Sequence, residues 1–366
     1  MKLLNTLSPS IEINKGKNDV VFTSDGKKYF DLVSGVGCCI SGHSNPIIAS
    51  AVYKQSKELV SISNYFSSEK KTELAQVLSD ISGLENIFLS NSGTEANECA
   101  IKLARKATGK KKIISMVNSF HGRTMGSLSA TWKEKYKTPF APLVPGFEFA
   151  EFDNIESLNS KIDLDTAAVI LEPIQGEAGV ITPKEGYLKE VKELCKKKNC
   201  LLIVDEVQSG NGRTGKYFAY EHEKIVPDIV TTAKGLANGF PIGATLSNEN
   251  IYFEKGDHNS TFGGNSVCCA AALANIEIIK KQMPYAQEKA ELLTMHFSKE
   301  EKKGKGLMIG LNVLDSAKFY SEAEKEGLLV NAPNSTTIRL LPPLTIPNSH
   351  CKLIAKKLLL AKEDSL

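Results

Sequence analysis

The chain lacks any apolar run approaching the roughly 20 residues that a membrane-spanning helix needs, and its first residues hold Glu12 and Asp19 in place of a signal-peptide core. A cytoplasmic protein is expected. An excess of one charge is missing as well: 45 Lys and Arg stand against 42 Asp and Glu, a formal net charge of +3, which gives no case for nucleic acid or an anionic surface as partner. The eight cysteines, two pairs of them adjacent (Cys38-Cys39 and Cys268-Cys269), have neither disulfide nor metal-ligand spacing. Cys195 and Cys200 come nearest to such a pattern, and reduced, partly buried thiols are expected. The six histidines form no H-E-x-x-H or other paired-ligand motif, so no metal is expected. There are no internal repeats and no low-complexity linker. What is present is ordinary for a globular protein, 42% hydrophobic and 24% charged, in a chain of 366 residues that is too long for one small core.

The N-terminal stretch 20–32 has the pattern of a hairpin turning at Asp25-Gly26. From about Pro46 onward, helical segments alternate with short apolar runs at 112–117, 167–171, 201–204, 229–232 and 243–246. Such alternation predicts an α/β fold with a mostly parallel sheet between helices. After a long helical segment from about Val267, the glycine-punctuated stretch Gly304 to Gly310 predicts one new strand in a smaller C-terminal α+β unit. The expected division is an N-terminal segment, 1–45, that joins the small domain; a large domain, 46–270; and a C-terminal small domain, 271–366.

Lys234 is the most informative residue. It closes an apolar, strand-like run, Asp228-Ile229-Val230-Thr231-Thr232-Ala233-Lys234. An ammonium in apolar surroundings has a lowered pKa, and a lysine that can be neutral near pH 7 is a carbonyl nucleophile of the Schiff-base kind. Upstream, the unalternating run Leu201-Leu202-Ile203-Val204 has the character of a buried parallel strand and ends in Asp205-Glu206. Ligands of open α/β sheets sit beyond the carboxyl ends of strands. A carboxylate at that place suits a pyridinium nitrogen, because the ion pair keeps the ring protonated and electron-accepting. Further up, Ser90-Asn91-Ser92-Gly93-Thr94-Glu95 leads from a short strand through small residues into a helix. Amides freed at that helix start, the Ser92 and Thr94 hydroxyls and the bare Gly93 make an anion site for a phosphate monoester. The three features together describe pyridoxal 5'-phosphate.

The segments Ser90-Asn91-Ser92-Gly93-Thr94-Glu95-Ala96-Asn97, Phe120-His121-Gly122-Arg123-Thr124, Glu172-Pro173-Ile174-Gln175-Gly176-Glu177, Asp205-Glu206-Val207-Gln208, Ser260-Thr261-Phe262-Gly263-Gly264-Asn265 and Ile338-Arg339-Leu340-Leu341-Pro342-Pro343-Leu344, with Lys234 between the last two but one, resemble class III (fold type I) aminotransferases. Within that class the resemblance is strongest to the acetylornithine aminotransferases, and it spans nearly the whole chain in the family's order. It implies a fold type I transferase with Lys234 as the Schiff-base residue and proton carrier, and Asp205 paired with the pyridinium. It further implies Gln208 on the ring 3-oxygen, Phe120 stacked on the ring, and Gly93 and Thr94 at the phosphate. Thr261 would reach the phosphate of the other subunit, so a homodimer with shared active sites is implied.

For specificity, the resemblance implies that Arg123, with Ser260 nearby, holds the distal carboxylate of both substrates. Arg339 would take the α-carboxylate of glutamate alone and be masked by Glu177 while the ω-amine is bound. N2-acetylornithine and 2-oxoglutarate are the expected pair, serving arginine biosynthesis. Val36 stands where ornithine aminotransferases carry tyrosine, which disfavours free ornithine; lysine-pathway relatives acting on N-acetyl or carrier-linked lysine, and 4-aminobutyrate enzymes, share the motifs. The chain has Gly176-Glu177-Ala178-Gly179 where the pattern is Gly-Glu-Gly-Gly, and a short N-terminus; neither touches an assigned role. A dinucleotide-binding oxidoreductase is the remote alternative, because Gly210-Asn211-Gly212-Arg213-Thr214-Gly215 fits G-x-G-x-x-G. Asp205 and Glu206 just before it would repel a pyrophosphate.

Overall fold

The computed structural model describes residues 11–365. Its first sheet begins with β1 (Ile13–Lys17), β2 (Val20–Thr23) and β3 (Lys28–Asp31), paired antiparallel in succession, with the β2–β3 hairpin turning at Asp25 and Gly26 as expected. The central sheet has seven strands: β4 (Asn86–Ser90), β5 (Lys112–Met116), β6 (Phe147–Ala150), β7 (Thr166–Leu171), β8 (Leu201–Asp205), β9 (Ile229–Thr232) and β10 (Gly243–Ser247). They lie in the order β4-β10-β9-β8-β7-β5-β6, and every pairing is parallel except those of β10. This is the mostly parallel α/β sheet anticipated from the alternating apolar runs. β6 escaped that reading because Phe147-Glu148-Phe149-Ala150 is interrupted by a charge.

Every residue of β7 and β9 is buried, which explains why their sequences show no alternation: both faces of the sheet are covered. The third sheet holds β11 (Lys302–Lys305), β12 (Met308–Asn312), β14 (Asn331–Asn334) and β15 (Thr337–Leu340), while β13 (Leu328–Leu329) joins the first sheet beside β3. The stretch expected as one strand from Gly304 to Gly310 is instead the β11–β12 hairpin. Gly306 makes the turn with φ +53°, and a Cβ there would lie 2.8 Å from the Arg213 carbonyl oxygen. A glycine is needed for both reasons.

Parallel pairing of β8 with β9 sets Asp205 beside Thr231 in register, so both strands deliver their next residues to the same edge of the sheet. The helix Gly93–Thr108, which follows β4, starts at that edge too. None of the described helices is long and apolar enough to cross a membrane, and all eight cysteines are free.

Candidate active site

Lys234 sits just beyond β9 in the left-handed region, φ +39°, a costly conformation for a residue with a side chain. Neighbouring amides hold it there. Asn211 donates Nδ2 to the Ala233 carbonyl at 3.1 Å, and Asn275 donates to those of Gly235 and Leu236 at 2.6 and 3.0 Å. Asn211 thus gives the glycine-rich loop 210–215 a purpose unrelated to nucleotides; no helix follows that loop directly. Burial depresses the Lys234 pKa, Arg339 adds to the effect, and Glu177, Cys38 and Asp205 oppose it.

Asp205 ends β8 and is 3% exposed, yet its carboxylate is well supplied with donors. Oδ2 accepts from Asn97 Nδ2 and lies against His121 Nδ1, both at 2.7 Å, and Oδ1 accepts from the Val207 amide at 3.0 Å. Asn97 is itself fixed by Thr231, whose hydroxyl donates to Oδ1 at 2.7 Å. A carboxylate has about four acceptor positions, so a place on Oδ1 remains for a cationic ring nitrogen. The residues His121, Asn97 and Thr231 were not singled out from sequence, although the first two lie inside recognisable motifs.

Ser92 caps the helix Gly93–Thr108, its hydroxyl accepting from the Glu95 amide at 3.3 Å, which leaves the amides of the first turn pointing outward. Two glycines keep that cradle open: a Cβ on Gly93 would lie 2.6 Å from Val207, and one on Gly122 2.2 Å from Thr94 Oγ1. The cradle, Asp205 and Lys234 border one cavity of about 260 Å³, which Gly93, Thr94, Phe120, Arg123, Glu177, Asp205, Gln208 and Lys234 all line. Amide donors at a helix start, an apolar wall of Phe120 and Val207, and a carboxylate with a spare acceptor position fit the phosphate, ring and ring nitrogen of pyridoxal phosphate.

Arg339, in β15, is 1% exposed and stands behind this cavity. Its Nη1 donates to Glu177 Oε1 at 2.7 Å and to Gln208 Oε1 at 3.0 Å, and its Nη2 to Asn331 Oδ1 at 2.9 Å. Burial alone would raise the Glu177 pKa, but Arg339 and Lys234 outweigh it and the net shift is downward, so Glu177 is an anion at neutral pH. Arg123 is exposed. Its guanidinium lies 3.7 Å above the Tyr136 ring and 5.6 Å from that of Phe120, and it pairs with no carboxylate among the described residues. Ser260 and Thr261 do not line their own chain's cavity. Their loop is tied to the residue before the helix cap, Ser260 Oγ accepting from Asn91 Nδ2 at 3.2 Å, and Thr261 is exposed.

The family model described as aminotransferase class-III matches residues 5–361. The chain belongs to the class-III aminotransferases. It is 46% identical over 358 residues to the acetylornithine aminotransferase of Methanopyrus kandleri, covering 94% of this chain and 92% of that one. It is 45% identical over 340 residues to a putative LysW-aminoadipate semialdehyde/glutamate semialdehyde transaminase of Pyrococcus horikoshii, covering 92% of each. Its fold superposes on the crystal structure of the ornithine aminotransferase of Toxoplasma gondii with a TM-score of 0.94 at 31% identity, over 99% of this chain and 93% of that one. Members of the class are pyridoxal-phosphate enzymes, and fold type I is the architecture they share.

In this class-III aminotransferase two further carboxyls lie buried by the site. Burial pushes Glu172 up to about 7, Asp205 adding to the effect and His121 opposing it, and burial likewise pushes Glu206 up to about 7. Glu172 accepts from the amides of Phe120 at 3.0 Å and Gly176 at 3.3 Å, tying the ring wall to the loop that carries Glu177. The folded protein therefore holds protons between pH 4.5 and about 7 that the unfolded chain has released, and stability from these two groups falls as pH rises through that window. Denaturant midpoints of the apoprotein at pH 5 and pH 7.5 should show the decline. In Glu206→Gln, which keeps an oxygen acceptor, the decline should be smaller, and an unchanged slope would contradict the assignment.

Proposed function

We propose that this aminotransferase moves the ω-amino group of N2-acetylornithine to 2-oxoglutarate, giving N-acetylglutamate 5-semialdehyde and glutamate by a ping-pong route, in arginine biosynthesis in the cytoplasm. The observation that carries this reading is the Arg339–Glu177 pair at 2.7 Å, buried at its arginine end behind Lys234. Such a site has to accept an amine with no nearby carboxylate and then an amino acid with carboxylates at both ends. With Glu177 in place the cavity presents a neutralised pair to the first. Once Glu177 swings away, Arg339 is a fork for the α-carboxylate of the second. Arg123, exposed at the mouth and paired with no carboxylate among the described residues, holds the distal carboxylate of both.

Bound pyridoxal phosphate supplies a protonated ring that takes up the electron pair released when the substrate carbon loses its proton. Asp205 keeps the ring nitrogen protonated, with His121 and Asn97 holding the carboxylate in line. Lys234 Nζ, as a free amine, would take that proton and return it one position along. Gln208, whose Oε1 is engaged by Arg339, would donate Nε2 to the ring 3-oxygen, while Phe120 would exclude water from one side.

The chain works as a homodimer. Asn64 Nδ2 donates to the Ser260 carbonyl at 2.6 Å, so the exposed segments 59–66 and 260–262 adjoin. Together they expose Val60, Tyr65, Phe66 and Phe262 by 56%, 87%, 64% and 65%, an apolar patch suited to burial against a second copy that would bring Thr261 to its partner's phosphate cradle. The Pyrococcus horikoshii relative is similar to nearly the same degree, which favours a carrier-linked substrate as the second reading. Comparison of kcat/KM for N2-acetylornithine, ornithine, N2-acetyllysine, 4-aminobutyrate and a carrier-linked lysine separates these readings. N2-acetylornithine should lead by tenfold or more, about 1.4 kcal/mol of transition-state binding. A tenfold advantage for another donor would replace the substrate and leave the aminotransferase intact.

A further inference from the structure

Asn331 lies in no motif, yet it stands in β14 directly across from Arg339 in the antiparallel β14–β15 register. Its Oδ1 accepts from Arg339 Nη2 at 2.9 Å, Glu177 and Gln208 share Nη1, and Nε is buried with no partner among the described residues. Two of these acceptors differ in what they can do. Glu177 is on a loop with its side chain 31% exposed, so it can leave. Asn331 is anchored in a strand, so its backbone cannot carry it away without breaking the pairing on which Arg339 itself sits. Their charges differ as well: a carboxylate neutralises a guanidinium, whereas a carboxamide orients it and leaves its positive charge available.

We propose that Asn331 is a positioning residue that sets acceptor specificity: it holds Arg339 in place, with its charge uncompensated, once Glu177 has moved away. The α-carboxylate of glutamate or 2-oxoglutarate then meets a preformed fork, while the ω-amine donor never uses the contact. The proposal rests on the reading of Arg339 as the α-carboxylate receptor.

Asn331→Asp is the sharpest test, since it keeps size and shape but adds a carboxylate that cannot swing away. With the holoenzyme, single-turnover spectra should be recorded separately for glutamate and for N2-acetylornithine, together with steady-state KM and kcat for 2-oxoglutarate. Asn331→Asp should raise the glutamate and 2-oxoglutarate KM by about 50-fold or more, as expected when a charge interaction at a desolvated site is cancelled, and leave the N2-acetylornithine half-reaction within about threefold. Asn331→Ala, which removes the orienting bond without adding charge, should raise the glutamate KM by about tenfold, the low end of what one hydrogen bond to a charged group is worth. Equal losses in both half-reactions, or an unchanged glutamate KM in Asn331→Asp, would overturn the proposal. Arg339→Ala run beside them keeps the two ideas apart. If it fails to single out glutamate, the receptor reading falls and Asn331 with it; if it does so while Asn331→Asp does not, Asn331 alone is excluded.

Discussion

Replacement of Lys234 by alanine should lower transamination by about 10²- to 10⁴-fold or more, because it removes the group that carries the proton and general-base catalysis alone is worth that much. The fold should survive. Lys234 lies past the end of β9, its backbone is held by Asn211 and Asn275 through main-chain carbonyls, and its side chain faces a cavity and belongs to none of the buried apolar clusters. Alanine tolerates φ +39° no better than lysine does, so the strain there is unchanged. Thermal unfolding of the variant apoprotein should stay within a few degrees of the wild type. Borohydride treatment of wild-type holoenzyme, followed by peptide mapping, should place the cofactor on Lys234 and on no other lysine. Turnover in the variant within tenfold of wild type would refute the assignment.

Arg339→Ala should separate the two half-reactions. Breaking a charge pair in a desolvated site costs about 2–5 kcal/mol, so kcat/KM for glutamate should fall by roughly 30-fold to several thousandfold. The reaction with N2-acetylornithine should change little, since that substrate meets Arg339 only as one half of the closed pair with Glu177. Arg123→Ala should weaken both, because both substrates place a distal carboxylate at the mouth. Equal losses in the two half-reactions for Arg339→Ala would sink the switch. Glu177→Gln gives the complementary result: with the mask removed and Arg339 left charged, N2-acetylornithine should bind more weakly and glutamate at least as well.

Much of the fold was legible because burial on both faces leaves an imprint in the chain. β5, β7, β8, β9 and β10 are short and apolar without alternation, and each was found where its composition placed it. β6 was missed because Glu148 sits in mid-strand near the sheet edge, where it meets Lys112 at 3.2 Å and has no need to be apolar. The β11–β12 hairpin was misjudged for a different reason. Gly304 and Gly306 looked like the punctuation of a single strand, whereas the close approach of the Arg213 carbonyl, remote in sequence, requires the turn at Gly306.

Short segments of the chain encode their own chemistry: a lysine closing an apolar strand, a carboxylate ending its neighbour, and a helix start of Ser92, Gly93 and Thr94. Each of these needs only its own residue types and adjacent backbone, so spacing along the chain is enough to reveal it. Which of these residues meet across the chain is a matter of folding. It set His121 and Asn97 on Asp205 and put Ser260 and Thr261 outside their own chain's cavity. It also gathered Glu177, Gln208 and Asn331 around one buried guanidinium. The physical reason is that Arg339 sheds its water on burial and has to recover those hydrogen bonds from whichever segments the sheets and loops bring within about 3 Å. No periodicity or motif along a single stretch of chain records that convergence.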